Sequence, residues 1–310
     1  MEIDLSKIKT YSIKKRFSKV DKKAFARVSA KGKSFREFYE SLPDILKARD
    51  LKEVAGAIVK AKKKKRAVIF MMGAHVIKCG LGPLVIDLIR RKIISSIVLN
   101  GAGIIHDFEI AYQGKTSEDV GEALKDGRFG MGKETAEFLN NAVNQGVQEG
   151  LGLGEAVGRQ IAWEGLRFKD YSILYAGYKA NIPVSVQVAI GTDIIHQHPS
   201  FDGALTGEGS QRDFLKLVES ISKLGDGGVV LNFGSNVILP EVFLKALNLA
   251  RNLGKRIDNF TAANFDMVHH YRPQVNVVSR PTQDSGRGYY IIGHHEIMLP
   301  LLHRGIIEYM

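Results

Sequence analysis

Continuous apolar runs alternate with amphipathic stretches along most of this chain, and that alternation predicts its elements. Ala67-Val68-Ile69-Phe70-Met71-Met72 is apolar at every position and stops at Gly73. A strand that is apolar on both faces suits the middle of a parallel sheet covered by helices. Pro83 to Arg91 follows with helical spacing, and Ile93 to Leu99 is a second strand-like run ending at Asn100-Gly101-Ala102-Gly103. The unit recurs. Ser172 to Lys179 is helical, and Ile182 to Ile190 is a strand that ends at Gly191-Thr192-Asp193. Gly228 to Asn232 ends at Phe233-Gly234-Ser235-Asn236 and is followed by a helix from Pro240 to Leu253. Ile257 to Ala262 is a short, more polar candidate, and Val275–Val278 and Tyr289–Ile292 read as late strands or edge pieces. Strands alternating with helices predict an α/β fold with a Rossmann-like, doubly wound, mostly parallel sheet. Residues 110–165 have weak strand signals and many Gly, Glu, Asn and Gln. They predict helices inserted between two strands, covering an edge or an interface.

Before the first strand the pattern differs. Phe35, Phe38, Tyr39, Leu42, Ile45 and Leu46 recur at helical spacing, Leu51, Val54, Ile58 and Val59 continue a second stretch, and Pro43 marks a boundary between them. Charge separates this region further. The chain of 310 residues carries a net charge of +11, yet residues 1–66 hold 21 Lys and Arg against 8 Asp and Glu, while the remainder holds 23 against 25. We therefore divide the chain into a basic, helix-rich N-terminal extension, 1–66, and an α/β domain, 67–310. The run Lys62-Lys63-Lys64-Lys65-Arg66 has no interleaved aromatic residues to stack on bases, so nucleic acid is not the expected partner. No apolar stretch is long enough to span a membrane, and no apolar core of a secretory signal opens the chain. Cys79 is the single cysteine, which excludes an internal disulfide framework and a multi-cysteine zinc site. A reducing cytoplasm is the expected compartment.

In open parallel sheets, ligands bind outside the carboxyl ends of the strands. Four strands here end in small or polar residues: Gly73-Ala74-His75, Asn100 to Gly103, Gly191 to Asp193, and Asn232 to Asn236. Together they favour a ligand of nucleotide size. Gly152-Leu153-Gly154-Glu155-Ala156-Val157-Gly158 imitates a dinucleotide fingerprint, but no strand precedes it and its last spacing is one residue too long. Close packing or a turn accounts for those glycines better. Histidines cluster near the loops at His75, His106, His196, His198, His269-His270 and His294-His295. They suit proton transfer, hydrogen bonding or a divalent metal. No His-Glu-x-x-His pattern is present, and no metal site is assigned.

The ordered series of strand ends resembles the deoxyhypusine synthase family over residues 67–310. The matching passages are Val68 to His75, Asn100 to Glu109, Ser172 to Asp193, Asn232 to Asn236, and His294-His295-Glu296 before Pro300. The resemblance implies NAD as cofactor, a small amine or polyamine-type substrate, and a homotetramer built from tight dimers. It also implies NAD contacts at Gly73, Ala74, His75, Asn100, Gly101, Ala102, Asp107, Asp193, Gly234, Ser235, Asn264 and His294. Substrate would meet His106, Glu109 and Asp266. Glu241, His196, His294 and Lys78 are the candidate catalytic groups.

One departure bears on chemistry. The family's catalytic lysine, which forms an imine with the substrate, falls in the stretch Met267 to Gly293, where this chain has no lysine. Arg272, Arg280 and Arg287 are there instead, and guanidinium groups stay protonated. Lys78 or Lys245 would have to substitute. The expected activity is NAD-dependent transfer or oxidation of an amine. The alternatives are a non-catalytic protein on the same scaffold, or a metal-dependent hydrolase or transferase using His106, His196, His198 and Glu296.

Overall fold

The computed structural model describes residues 3–310 and divides into two compact units, Met1–Arg49 and Asp50–Met310. In the first unit, residues 3–33 hold only single 3-10 turns, Leu5–Lys7, Ile13–Lys15 and Lys22–Ala24. Asp4, Ser12 and Asp21 cap them by accepting a backbone N–H two residues on. Most apolar side chains of this stretch are exposed, Phe17 at 88%. The helix-rich character expected of the extension thus starts only at residue 35, because closely spaced lysines without an apolar stripe give a helix nothing to bury. The first helix, α1 (Phe35–Ser41), opens with a reciprocal capping box between Ser34 and Glu37. Pro43 lies in the break before α2 (Leu46–Lys63).

The division at 49/50 differs from the charge boundary at 66/67, because most of α2 belongs with the sheet. Leu51, Val54, Ala55 and Ile58 are buried, and Glu53 accepts the Tyr289 hydroxyl at 2.5 Å. The larger unit then runs β1 (Val68–Met72), α3 (His75–Lys78), α4 (Gly82–Arg90), β2 (Ser96–Asn100) and α5 (Gly101–Gln113). The inserted helices α6 (Val120–Leu124), α7 (Lys133–Gln148) and α8 (Leu153–Glu164) follow, as the sequence predicts. Next come α9 (Ile173–Ala180), β3 (Val184–Gln187), α10 (Gly203–Ile221), β4 (Val229–Phe233) and α11 (Ile238–Asn252). The chain closes with β5 (Thr261–Asp266), the single turn α12 (Tyr271–Pro273), β6 (Arg287–Ile292) and α13 (His295–Tyr309).

All six strands are parallel, in the order β3-β2-β1-β4-β5-β6. β1 is central and wholly buried, and the direction of winding reverses between β1 and β4. That reversal opens a crevice above the carboxyl ends of the two strands. On one face of the sheet Ile69, Met71, Val230, Phe243 and Val277 share a core. On the other, the rings of Phe70, Phe233 and Phe265 stack at 5.0 and 4.3 Å.

Two sequence expectations shift. The fifth strand lies at 261–266 rather than 257–262, and its polar residues Asn264 and Asp266 are buried. Val275–Val278 is a π-helical turn (Gln274–Ser279), not a strand. A short apolar run fits a buried helical turn as well as a strand, and here Val277 and Val278 are buried between flanking Pro273 and Pro281. The fingerprint-like glycines serve packing: a Cβ on Gly154 would lie 2.2 Å from the Val184 carbonyl oxygen, and one on Gly158 would lie 2.8 Å from that of Leu174.

Candidate functional site

The crevice floor is built from main chain. Gly73 N–H donates to the Phe233 carbonyl at 2.9 Å, and Gly234 N–H donates to that of Phe265 at 3.1 Å. The loops after β1, β4 and β5 are thereby tied together. A Cβ on Gly73 would sit 2.5 Å from the Gly234 carbonyl oxygen. Gly234 has φ +63°, and His295 Nε2 lies 2.7 Å from where its Cβ would be. Ser235 is buried, and its hydroxyl accepts the Leu239 N–H at 3.4 Å at the start of α11. Asn232 and Asn264 are register partners on β4 and β5; the Asn232 amide donates to Asn264 Oδ1 at 2.6 Å and to the Ser235 carbonyl at 2.8 Å. Ala74 and His75 rise from the floor at the start of α3, and the His75 ring lies 6.1 Å from that of His295.

Of the adjacent histidines, His295 is the inward one. It is 1% exposed with Nδ1 unpartnered, whereas His294 is 64% exposed and faces Glu296. His294 thus stands on the outer side of this turn and His295 beneath it. Burial lowers the pKa of His295, against the opposing pull of Asp266. Asp266 is buried, with Oδ1 accepting the Met267 N–H at 2.7 Å and Oδ2 unpartnered.

The loop after β3 brings the second group. Asn100 caps α5 by accepting the Gly103 N–H at 3.1 Å, which leaves Gly101 and Ala102 at the helix start. Asp193 crosses over them: its Oδ2 lies 1.9 Å from where a Gly101 Cβ would be. That oxygen is buried and has no hydrogen-bond partner. Burial pushes the Asp193 carboxyl up to about 6. Asn140 on α7 braces this loop by donating to the Ile195 carbonyl at 3.1 Å.

Beside the loop is a cavity of about 240 Å³, with Lys78, His106, Glu109, Glu118, Phe129 and Asp193 in its lining. His106 and Glu109 share one face of α5, three residues apart. Sequence reasoning missed Thr116, which joins them; its position ten residues beyond His106 in a loop carries no periodic signal. Thr116 donates to Glu109 at 2.5 Å and lies 2.6 Å from His106 Nδ1.

Three further candidates fall away from the proposed roles. Asp107 is 1% exposed and faces α9, accepting from Ser172 Oγ at 2.5 Å and from the N–H groups of Ile173 and Leu174 at 2.7 and 3.2 Å. It plugs a helix N-terminus, and both of its oxygens are taken up there. Asp107→Asn is expected to destabilise the chain by about 1–2 kcal/mol, read as a lower urea midpoint; an unchanged midpoint would contradict the capping role. His196 accepts the Gly191 and Asp193 N–H groups on Nδ1 at 3.0 and 3.3 Å. Its remaining nitrogen carries the hydrogen and lies 3.9 Å from Asp193 Oδ2, so His196 braces the loop and has no lone pair to act as a base. Glu241 is paired with Lys245, Arg272 and Asn276 at the surface. The Lys245 hydrogen bond foremost holds its carboxyl below the usual range, so it is a weak proton acceptor. Lys245 is engaged there as well, while Lys78 lines the cavity. Among the described residues no group of three or more His, Cys, Asp or Glu is placed to hold a metal ion, and no helix is long and apolar enough to cross a membrane.

A six-stranded parallel sheet in this order, with glycine-lined strand ends meeting at the reversal point, defines a doubly wound Rossmann-like α/β protein. No family model and no curated protein matches the chain. Solved structures do share its fold. A protein from Entamoeba histolytica assigned as a deoxyhypusine synthase matches with TM-score 0.54 and 13% identity, over 89% of this chain and 93% of the other. A conserved LOR/SDH-type protein from Methanococcus maripaludis S2 matches with TM-score 0.50 and 18% identity, over 86% and 71%. AgrE, solved in ternary complex with ornithine and NAD+, matches with TM-score 0.51 and 14% identity over 84% of this chain; the match spans only 33% of AgrE. At these identities the likeness is one of fold: this chain has a deoxyhypusine-synthase-like architecture.

Proposed function

We propose that the crevice binds NAD and that the adjoining cavity holds an amine, which the protein oxidises or transfers in the manner of the deoxyhypusine-synthase-like enzymes. The observation that carries this reading is the placement of Asp193. One carboxylate rests against the first turn of α5 with a buried, unpartnered oxygen and also lines the cavity. An unpartnered buried carboxylate oxygen is costly unless a ligand completes it. A ribose supplies the hydroxyl donors such an oxygen lacks. The glycines at Gly73 and Gly234 let the strand-end loops pack main chain against main chain and against His295, which forms a compact crevice floor. NAD, when bound, accepts a hydride; Asp193, Gly101, Ala102, Gly73 and Gly234 are the residues that would hold it.

Glu109, Glu118 and Asp193 line the cavity together with a single lysine, Lys78. That balance favours a cationic amine. Lys78 is also the lysine available should the transfer pass through an imine, since 267–293 has none.

Asp193→Asn separates binding from folding. NAD affinity measured by calorimetry is expected to fall about 10–100-fold at pH 8. The wild-type affinity should weaken as pH drops through about 6, where Asp193 takes up a proton, and the variant should not follow. Stability should move the opposite way. An acid whose folded pKa is raised loses stability as pH rises toward that value, so removing the charge should raise the melting temperature above pH 6 and leave it unchanged near pH 4. Equal NAD affinity in the two proteins at pH 8 would sink the assignment.

A further inference from the structure

The hydrogen bonds on the cavity wall permit only one tautomer of His106. Thr116 Oγ1 lies 2.5 Å from Glu109 Oε2 and 2.6 Å from His106 Nδ1. A hydroxyl has one hydrogen, and a carboxylate only accepts, so the Thr116 hydrogen goes to Glu109. His106 Nδ1 must then carry its own hydrogen and donate it to Thr116. Thr135 donates to the other Glu109 oxygen at 3.1 Å and fixes the carboxylate from a second helix, α7. In a neutral imidazole with hydrogen on Nδ1 the lone pair is on Nε2. The His106 side chain is 17% exposed and lines the cavity, so that lone pair belongs to the wall of a ligand-sized space.

We propose that His106 Nε2 is the proton acceptor of this cavity, held in its tautomer by Thr116 and Glu109 as positioning residues, and that it deprotonates an ammonium group bound beside Asp193 and Glu118. The proposal rests on the amine reading given above. In the step, one N–H bond of the ammonium breaks, its electron pair stays on nitrogen as a lone pair, and the proton bonds to Nε2. An amine needs that lone pair before the carbon next to it can give up a hydride.

The charged groups around His106 are Lys78 from α3, Glu109 on α5 itself, Glu118 from the loop before α6, and Asp193 from the loop after β3. Burial lowers the pKa of His106 foremost; Glu109 pulls it up and Lys78 pushes it further down. The net direction keeps the ring neutral, and so able to accept, at pH 7.

The test is ring 15N NMR of the full-length chain labelled at histidine, with His106→Gln used to assign the His106 signals. The two-bond proton–nitrogen pattern reads the tautomer directly. His106 is expected to carry its hydrogen on Nδ1 at pH 7.5. Thr116→Val should move it toward the Nε2–H form, and Thr116→Ser, which restores a hydroxyl, should keep the original pattern. An Nε2–H tautomer in the wild type, or a tautomer indifferent to Thr116→Val, overturns the relay. Saturation with 1,4-diaminobutane should then shift the His106 Nε2 signal, as an ammonium N–H donates to its lone pair, while the ring stays singly protonated because an alkylammonium holds its proton more tightly than imidazole. If calorimetry shows the diamine bound while the His106 Nε2 signal does not move, the proton-acceptor role is overturned. A Thr116-dependent tautomer with no diamine binding upholds the relay and counts against the amine reading alone.

Discussion

Gly73→Ala is expected to destabilise the protein by about 3 kcal/mol, at the upper end of overpacking penalties. The new methyl would stand 2.5 Å from the Gly234 carbonyl oxygen and 3.2 Å from its carbonyl carbon. Those neighbours are main chain, so no rotamer change relieves the contact. The two loops would have to part, which also strains the Gly73 N–H bond to Phe233 and the Gly234 N–H bond to Phe265. Gly56→Ala supplies the opposite sign. Gly56 lies inside α2 with nothing within 4 Å of its added Cβ, so alanine should stabilise by about 0.5–1 kcal/mol through helix propensity and a smaller unfolded-state entropy. Urea unfolding of the two variants checks both. A Gly73→Ala midpoint equal to wild type would show that the loops are not in the contact described.

Which parts of this architecture the sequence discloses depends on how each residue is stabilised. β1, β2 and β4 are legible because a strand buried on both faces must be apolar throughout, and Val68–Met72 and Val229–Leu231 are. β5 was displaced by four residues because Asn264 and Asp266 interrupt the apolar pattern. Those interruptions are the residues that reach the crevice, and local rules fail most readily where a strand end is given over to a site. The same holds for His294 and His295. The sequence marks the pair but not which ring the start of α13 turns inward. Packing against Phe233 and Gly234 decides it in favour of His295. Asp107 misled for the converse reason. It sits one residue from His106, yet the helical turn carries it round to another face, where Ser172 and the α9 N-terminus consume its oxygens. Thr116 was beyond reach, since a loop residue acquires its role only when the insertion folds back on α5. Asp193 was legible as a strand-end acid. That its side chain both rests against the start of α5 and lines the cavity is a tertiary fact.

The edge of the sheet carries the second large effect. β3 is an edge strand, and an edge leaves backbone N–H groups without partners. α10 covers it with Asp213, whose Oδ2 accepts the Val186 N–H at 2.8 Å and the Gly154 N–H at 2.9 Å. One carboxylate thus joins β3, the start of α8 and α10. The side chain is fully buried. Asp213→Ala would leave two buried N–H groups unpartnered and a small void, so a loss of about 3–5 kcal/mol is expected. Asp213→Asn keeps an acceptor oxygen and should lose less than half of that at pH 5. Its deficit should also shrink with pH. Burial raises the Asp213 carboxyl to about 7, against the pull of the two N–H groups. Wild-type stability therefore falls as pH rises from about 4 to about 7 and is level above, while the asparagine has no proton to lose. Urea unfolding at pH 5 and pH 8 reads the difference. If the gap between wild type and Asp213→Asn is the same at both, the carboxylate is ionised throughout, and Val186 and Gly154 outweigh its burial. If Asp213→Ala falls within about 1 kcal/mol of wild type, the edge is held by apolar packing of α8 and α10, and the carboxylate tie is incidental.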